Sequence, residues 1–237
     1  MSLIALLTDF GHQDPFVGIM KGVVAGIAPE ARVVDLCHDI APQDIRGGAF
    51  ALRQAAPYFP DGTIFVAVVD PGVGTGRRAL VTRTKRHLFV GPDNGLLSWL
   101  PDPILEARSA EAPELFLPRV SSTFHGRDVF APLAAHLAAG AEFKAVGPAV
   151  RDARMLPWPD EEIVAFDRFG NAITSLKKKA ARVRYKGHEI QVVRTYADAK
   201  EGEPLALMGS SGLIELSVRN GSFAAQFDAK RGDKVHG

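Results

Sequence analysis

Thr63-Ile64-Phe65-Val66-Ala67-Val68-Val69-Asp70-Pro71-Gly72-Val73-Gly74-Thr75-Gly76-Arg77 passes from an unbroken apolar run into an acid, a proline and spaced glycines, and ends on an arginine. A run with no polar alternation predicts a strand covered on both faces, the kind found inside a parallel sheet. Asp70 then stands at the strand's carboxyl end, where parallel α/β sheets carry their sites. Pro71 is rigid and the glycines after it are permissive, so the loop is able to bring Arg77 back over Asp70.

Outward from this stretch, strand and helix signals alternate. Residues 4–7 are a short apolar run, and residues 16–27 suffice for a helix with Pro15 at its first position after Asp14. Residues 33–36 read as the next strand, and Asp44 caps a helix running to Ala56, which Pro57 ends. Residues 79–84 and 87–90 are shorter strand signals, and residues 129–139 form a helix with Pro132 in its first turn. The expectation is an α/β domain over residues 1–150 with a largely parallel central sheet, whose polar runs carry an acid, a guanidinium and an imidazole in Asp70, Arg77 and His125, the parts needed to hold and activate a water.

After Gly147 the texture changes. Pro148 and Met155-Leu156-Pro157-Trp158-Pro159-Asp160 read as a linker. Residues 163–166, 181–185, 189–193, 205–208 and 213–218 read as short strands, separated by turns such as Lys186-Gly187 and Asn220-Gly221. That predicts a small all-β, barrel-like domain over residues 158–237.

The chain has 237 residues, 46% of them hydrophobic, and a formal net charge of +1, enough for real cores and without the basic face of a nucleic-acid binder. The densest basic run, Lys177-Lys178-Lys179, reads as a solvated turn. One cysteine, Cys37, precludes an internal disulfide and any CxxC metal site; at the end of an apolar run it reads as a buried structural thiol. The first residues read as a strand and not a signal peptide, and no apolar stretch is long enough to span a bilayer, so the expected location is the cytoplasm, with no membrane partner.

The bland readings of the polar runs are clear. Asp70 and Arg77 could simply brace a turn, Asp9 could cap or hold one, and His125 could be a loop histidine. His12, His38, His87, His136, His188 and His236 are left as structural or surface residues. Gly72, Gly74 and Gly76 do not make a phosphate loop: no GxxxxGK followed by Ser or Thr is present, and the spacing is not GxGxxG opening a helix. Asp9, Asp14, Asp35, Asp39 and Asp70 with His12, His38 and His125 offer enough ligands for a divalent hydrolase, yet no HxH or HExxH spacing supports one, and the expectation is no metal.

Thr8-Asp9-Phe10-Gly11 with Asp14, Val69-Asp70-Pro71-Gly72-Val73-Gly74-Thr75 with Arg77, Gly91-Pro92-Asp93-Asn94-Gly95-Leu96-Leu97, Phe124-His125-Gly126-Arg127-Asp128, Phe169-Gly170-Asn171 and Ser210-Ser211-Gly212 follow in order along nearly the whole chain. This set resembles the S-adenosyl-L-methionine hydroxide adenosyltransferase family, hydrolytic relatives of the fluorinase and chlorinase enzymes. The resemblance implies hydrolysis of S-adenosylmethionine to adenosine and L-methionine, with no cofactor beyond the substrate. It places the catalytic acid, arginine and histidine on Asp70, Arg77 and His125. The halogenases lack the acid, so Asp70 argues for water as nucleophile.

The resemblance further implies a homotrimer, with each site formed by the N-terminal domain of one subunit and the C-terminal domain of the next. Asp9 would take the ribose hydroxyls, and Asp14 and Asp167 would flank the methionine portion. Phe169 and Tyr196 would sandwich adenine, Asn171 would read its edge, Ser210 would hold the carboxylate, and Asn94 counts among the substrate-binding residues. Ser211 stands where the halogenases carry an arginine and Gln43 where they carry a tryptophan; the spacing Asp167-Arg168-Phe169 is one residue shorter than theirs.

The residue types suit a displacement at C5′ of the ribose. Asp70 would accept a hydrogen bond from the attacking water and later its proton, while Arg77 would keep Asp70 ionised and limit its basicity; His125 could relay or finally hold the proton. Two other classes stay open on the residues alone: a non-catalytic S-adenosylmethionine or adenosine sensor, and a metal-dependent nucleotide hydrolase.

Overall fold

A computed structural model describes residues 2–177 and 181–237. The chain divides into two compact units, Met1–Leu156 and Pro157–Gly237. The boundary falls inside the proline-rich stretch 155–160, where Leu156 is tied back by its N–H to Ser98 Oγ at 2.7 Å and by its carbonyl to Trp99 Nε1 at 3.2 Å.

The first unit runs β1 (Leu3–Thr8), α1 (Phe16–Ile27), β2 (Arg32–Cys37), α2 (Ile45–Ala55), β3 (Ile64–Val68), β4 (Ala79–Arg83), β5 (Leu88–Pro92), β6 (Glu106–Ser109), α3 (Ala131–Ala138) and β7 (Ala149–Val150). Its sheet has the order β2-β1-β3-β5-β4-β6-β7. Strand alternation sends Ile4, Leu6, Ile64, Val66 and Val68 to one face, where α1 and α3 cover them through Met20, Val24 and Leu133. Ala5, Leu7, Phe65, Ala67 and Val69 go to the other, against Leu52 of α2. Both faces are covered, which is why β3 needs no polar alternation.

The sheet is mostly parallel, and not entirely so. β2, β1, β3 and β5 run parallel, whereas β4, β6 and β7 extend the sheet through antiparallel pairings. The reason is connection length. A parallel crossover needs a dozen residues or more, and β4 returns to β5 through a tight turn in which Thr84 N–H donates to His87 O at 3.0 Å. The alternation of strands and helices ends at β3, and β6 and β7 are too short to carry a sequence signal of their own.

Two local expectations are corrected. Pro15 lies at the cap of α1 and not inside it, and no side chain caps that helix. Cys37 is half-buried, because β2 is the edge strand and leaves Val34 36% exposed. Asp44 caps α2 as expected, accepting from Gly47 N–H at 2.9 Å.

The second unit holds β8 (Ile163–Phe166), β9 (Ala172–Thr174), β10 (Arg182–Tyr185), β11 (His188–Val193), β12 (Pro204–Met208), β13 (Ile214–Val218), a single helical turn α4 (Phe223–Gln226) and β14 (Val235–His236). The order is β14-β10-β11-β12-β13-β9-β8, and among the described residues it is parallel only at β11–β12. The two ends nearly close on each other: Glu162 bridges Lys234, and Ile163 N–H donates to Asp233 O at 2.9 Å. Tyr185, Phe223, Ile190 and Leu216 fill the resulting barrel. Lys186 and Gly187, with φ of 46° and 81°, make the two-residue turn joining β10 to β11. Of the basic run, Lys177 sets Nζ 5.2 Å from the Trp158 ring centroid, while Lys178 and Lys179 lie outside the described residues.

Candidate active site

β1 and β3 are adjacent and parallel, with Thr8 opposite Val68. Asp9 and Asp70, which follow these strands, therefore emerge at the same carboxyl edge of the sheet. The loop after Asp70 folds tightly: Val73 N–H donates to Asp70 O at 3.2 Å and Thr75 Oγ1 to Gly72 O at 2.6 Å. Gly74 has φ of 75°, and a Cβ there would lie 2.2 Å from Ser122 O, so only glycine lets this loop approach the 121–125 segment.

The loop returns Arg77 onto Asp70. Arg77 Nε reaches both carboxylate oxygens at 3.0 Å, and Nη2 also donates to Oδ2. The two side chains are 11% and 4% exposed, and the guanidinium lies 5.2 Å from the centroid of Phe130. Nη2 further contacts His125 Nδ1 at 2.9 Å. A guanidinium only donates, so Nδ1 accepts and the neutral imidazole carries its proton on Nε2. Burial, then the Arg77 charge, hold the His125 pKa below the ordinary imidazole value against the opposite pull of Asp70 and Asp128. Nη1 of Arg77 makes no hydrogen bond among the described residues.

His125 opens a π-helical turn, Gly126–Phe130, that runs into α3. Asp128 organises its approach. Burial alone would raise the pKa of Asp128, but Arg127 and the N–H of Ser121 at 2.8 Å hold it down. Gly126 is packed on three sides: a Cβ would meet Met20 Sδ at 3.2 Å, Phe124 at 3.2 Å and Phe10 at 3.3 Å. Asn94, 9% exposed, donates from Nδ2 to Val69 O at 2.8 Å and accepts Leu96 N–H at 3.1 Å, which steadies the residue before Asp70.

Asp9 Oδ2 accepts the backbone N–H of Gln43 at 2.8 Å, and Gln43 takes a left-handed φ of 64°. Asp14 is exposed in the loop before α1.

In the second unit, Asp167, Phe169, Asn171 and Tyr196 line one cleft of about 670 Å³, together with Arg219 and Asn220. Asp167 builds its wall, Oδ1 accepting from Phe169 N–H and Asn171 N–H at 2.9 Å each, and Oδ2 from Asn171 Nδ2 at 2.8 Å. Phe169 is left 77% exposed, a large apolar ring with nothing over it among the described residues. Tyr196 donates to Glu215 Oε1 at 2.5 Å, and burial and that carboxylate push its pKa up to about 12. Ser210 is exposed on the Gly209–Gly212 turn between β12 and β13 and is not part of this cleft's wall.

Glu215 escaped the reading of the sequence. Its signal was present: a lone acid inside the apolar run 213–218, now buried and holding both Tyr196 and, at 3.0 Å, Ser217 Oγ. Among the described residues no three His, Cys, Asp or Glu side chains are grouped to hold a metal ion, and no helix is long and apolar enough to cross a membrane.

Two family models match the chain: SAM hydroxide adenosyltransferase N-terminal domain over residues 4–147, and the C-terminal domain of the same name over residues 161–236. The chain is 45% identical to a protein named (R)-S-adenosyl-L-methionine hydrolase from Thermus thermophilus, covering 99% of both. It is 41% identical to one of the same name from Salinispora arenicola, covering 98% of this chain and 96% of that one. A crystal structure of an uncharacterized conserved protein from Thermotoga maritima superposes with a TM-score of 0.91 at 34% identity, over 98% of this chain and 99% of that one.

Proposed function

The chain belongs to the SAM hydroxide adenosyltransferase family, and from that membership we propose that it is an enzyme hydrolysing S-adenosyl-L-methionine to adenosine and L-methionine. Relatives that share 33–45% of its residues are named hydrolases of this substrate. The observation that carries the chemical reading is the contact set Asp70–Arg77–His125, which gathers residues from two distant loops onto one buried guanidinium.

In the proposed reaction a water oxygen attacks C5′ from the side opposite sulfur. The C5′–S bond breaks, its electron pair stays on sulfur as the thioether of methionine, and the positive charge of the sulfonium disappears as the water sheds a proton. Asp70 accepts the water's hydrogen bond, and late in the step its proton, with a lone pair not used by Arg77. Arg77 fixes the direction of that carboxylate through two-point pairing and has Nη1 donors left to hold the same water. Placement in line with the breaking bond contributes through effective molarity, which reaches ~7–11 kcal/mol in ideal cases. His125 enters neutral, able to take the proton at Nδ1 once Arg77 lets go.

Asp9 takes the ribose diol, and the cleft of Phe169, Asn171 and Tyr196 takes adenine, with Asp14, Asp167 and Ser210 toward the methionine end and Asn94 in support. The exposed face of Phe169 supports an aromatic platform for a base. The assembly is a homotrimer in which the N-terminal unit of one subunit meets the C-terminal unit of the next. It acts in the cytoplasm on a small molecule, without a cofactor, nucleic acid or membrane partner.

Incubation with S-adenosylmethionine in ¹⁸O-water, with and without chelator, tests this. Label in the adenosine 5′-hydroxyl, unchanged by chelator, is expected. No adenosine would leave a binding protein, and activity lost to chelator and restored by a divalent ion would make it a metal hydrolase.

A further inference from the structure

Behind Asp9 lies a hydrogen-bonded chain that the reaction scheme does not use. His38 is 1% exposed, and both ring nitrogens are engaged: Nδ1 with Thr8 Oγ1 at 2.8 Å and Nε2 with Asp35 Oδ1 at 3.0 Å. Asp35 Oδ2 in turn accepts from Lys21 Nζ at 2.6 Å. In the neutral ring the directions follow from the partners. Phe10 N–H donates to Thr8 Oγ1 at 3.2 Å, so the Thr8 proton is free to point at His38 Nδ1. Nε2–H then donates to Asp35, whose carboxylate only accepts.

The same residue holds the turn from its other side. The His38 carbonyl accepts Gly11 N–H at 2.8 Å, and farther along the same segment Gln43 N–H donates to Asp9 Oδ2. Asp9 is thus flanked on both sides by residues tied to His38, and its Oδ2 is occupied. Oδ1 makes no hydrogen bond among the described residues.

We propose that His38, clamped between Thr8 and the Asp35–Lys21 pair, is the positioning residue of the Asp9-Phe10-Gly11 turn, presenting Asp9 Oδ1 to a vicinal diol and so setting the preference for ribose over deoxyribose. This rests on the reading that Asp9 takes the ribose. Replacing the ring by a shape without nitrogens leaves Thr8 and Asp35 without partners and releases the turn, while leaving Asp70, Arg77 and His125 in place.

The test compares adenosine and 2′-deoxyadenosine binding by calorimetry in wild type, His38→Phe and His38→Asn, with steady-state kinetics on S-adenosylmethionine. Wild type should prefer adenosine. His38→Phe should cut that preference about tenfold and raise KM with kcat within about twofold. His38→Asn, whose amide oxygen reaches the Nδ1 position, should recover most of it. A His38→Phe enzyme that melts earlier but keeps the preference and KM overturns the proposal. Equal binding of the two nucleosides by wild type overturns the ribose reading of Asp9, and the proposal with it. If His38→Phe does not fold, Thr8→Val severs the chain at its other end, and an unchanged preference there overturns the proposal equally.

Discussion

Arg77 Nη2 donates to His125 Nδ1 across 2.9 Å, and this one bond decides the protonation state in which the histidine can take part. An imidazolium would turn a second N–H toward the guanidinium and set two positive charges against each other. The same arginine spans both oxygens of Asp70, so acid and histidine are coupled through one rigid fork.

The neutral state of His125 makes its pH dependence predictable. Its folded pKa is depressed, so kcat/KM should fall on the acid side with a midpoint below about 6.5, and His125→Gln should lack that limb. Stability should move the same way: as pH falls from the unfolded value to the depressed folded one, the unfolded chain takes up a proton that the native chain refuses. His87, whose pKa burial lowers and whose Nδ1 has no partner among the described residues, adds to this loss. Thermal melts from about pH 8 to about pH 5 should show it, and His87→Gln should flatten the curve.

Asp70→Asn keeps the shape and removes the charge. Turnover should drop by about 10²–10⁴ with KM little changed, measured as adenosine release. Unchanged turnover would remove Asp70 as the acceptor of the water's proton.

Gly74→Ala places a methyl group against Ser122 O in a left-handed backbone. The two loops must separate, parting Arg77 from His125, so kcat should fall at least about tenfold while the melting temperature shifts only modestly. A variant with full kcat would mean that the loops tolerate separation.

Tyr196 and Glu215 should behave as one unit. Tyr196→Phe and Glu215→Gln should each raise KM several-fold, and the double variant should be no worse than the poorer single one. Simple additivity would show that Glu215 does not act through Tyr196. Since the phenol ionises only at about 12, KM should show no tyrosine titration through the ordinary alkaline range.

Much of this molecule is legible as a string. An apolar run without polar alternation announces a strand covered on both faces, and β3 is buried throughout. Asp44 announces its helix, and Lys186-Gly187 its turn, because these depend on a few neighbouring torsions. The short pieces β6, β7, β9 and β14 are silent, since two to four residues form a strand only when a partner is already beside them.

The site divides along the same line. Local chemistry told which residue types stand at strand ends, and order along the chain tied them to a family. Contacts between distant segments were out of reach: Arg77 with His125, Tyr196 with Glu215, and Thr8 with His38 are separated by 48, 19 and 30 positions. Periodicity carries no term for such pairs. They exist because the parallel pairing of β1 with β2 sets Thr8 beside His38, because the glycine loop after β3 packs on the segment before α3, and because strand alternation turns Glu215 away from the barrel core onto a face still covered, where burial obliges it to find hydroxyls.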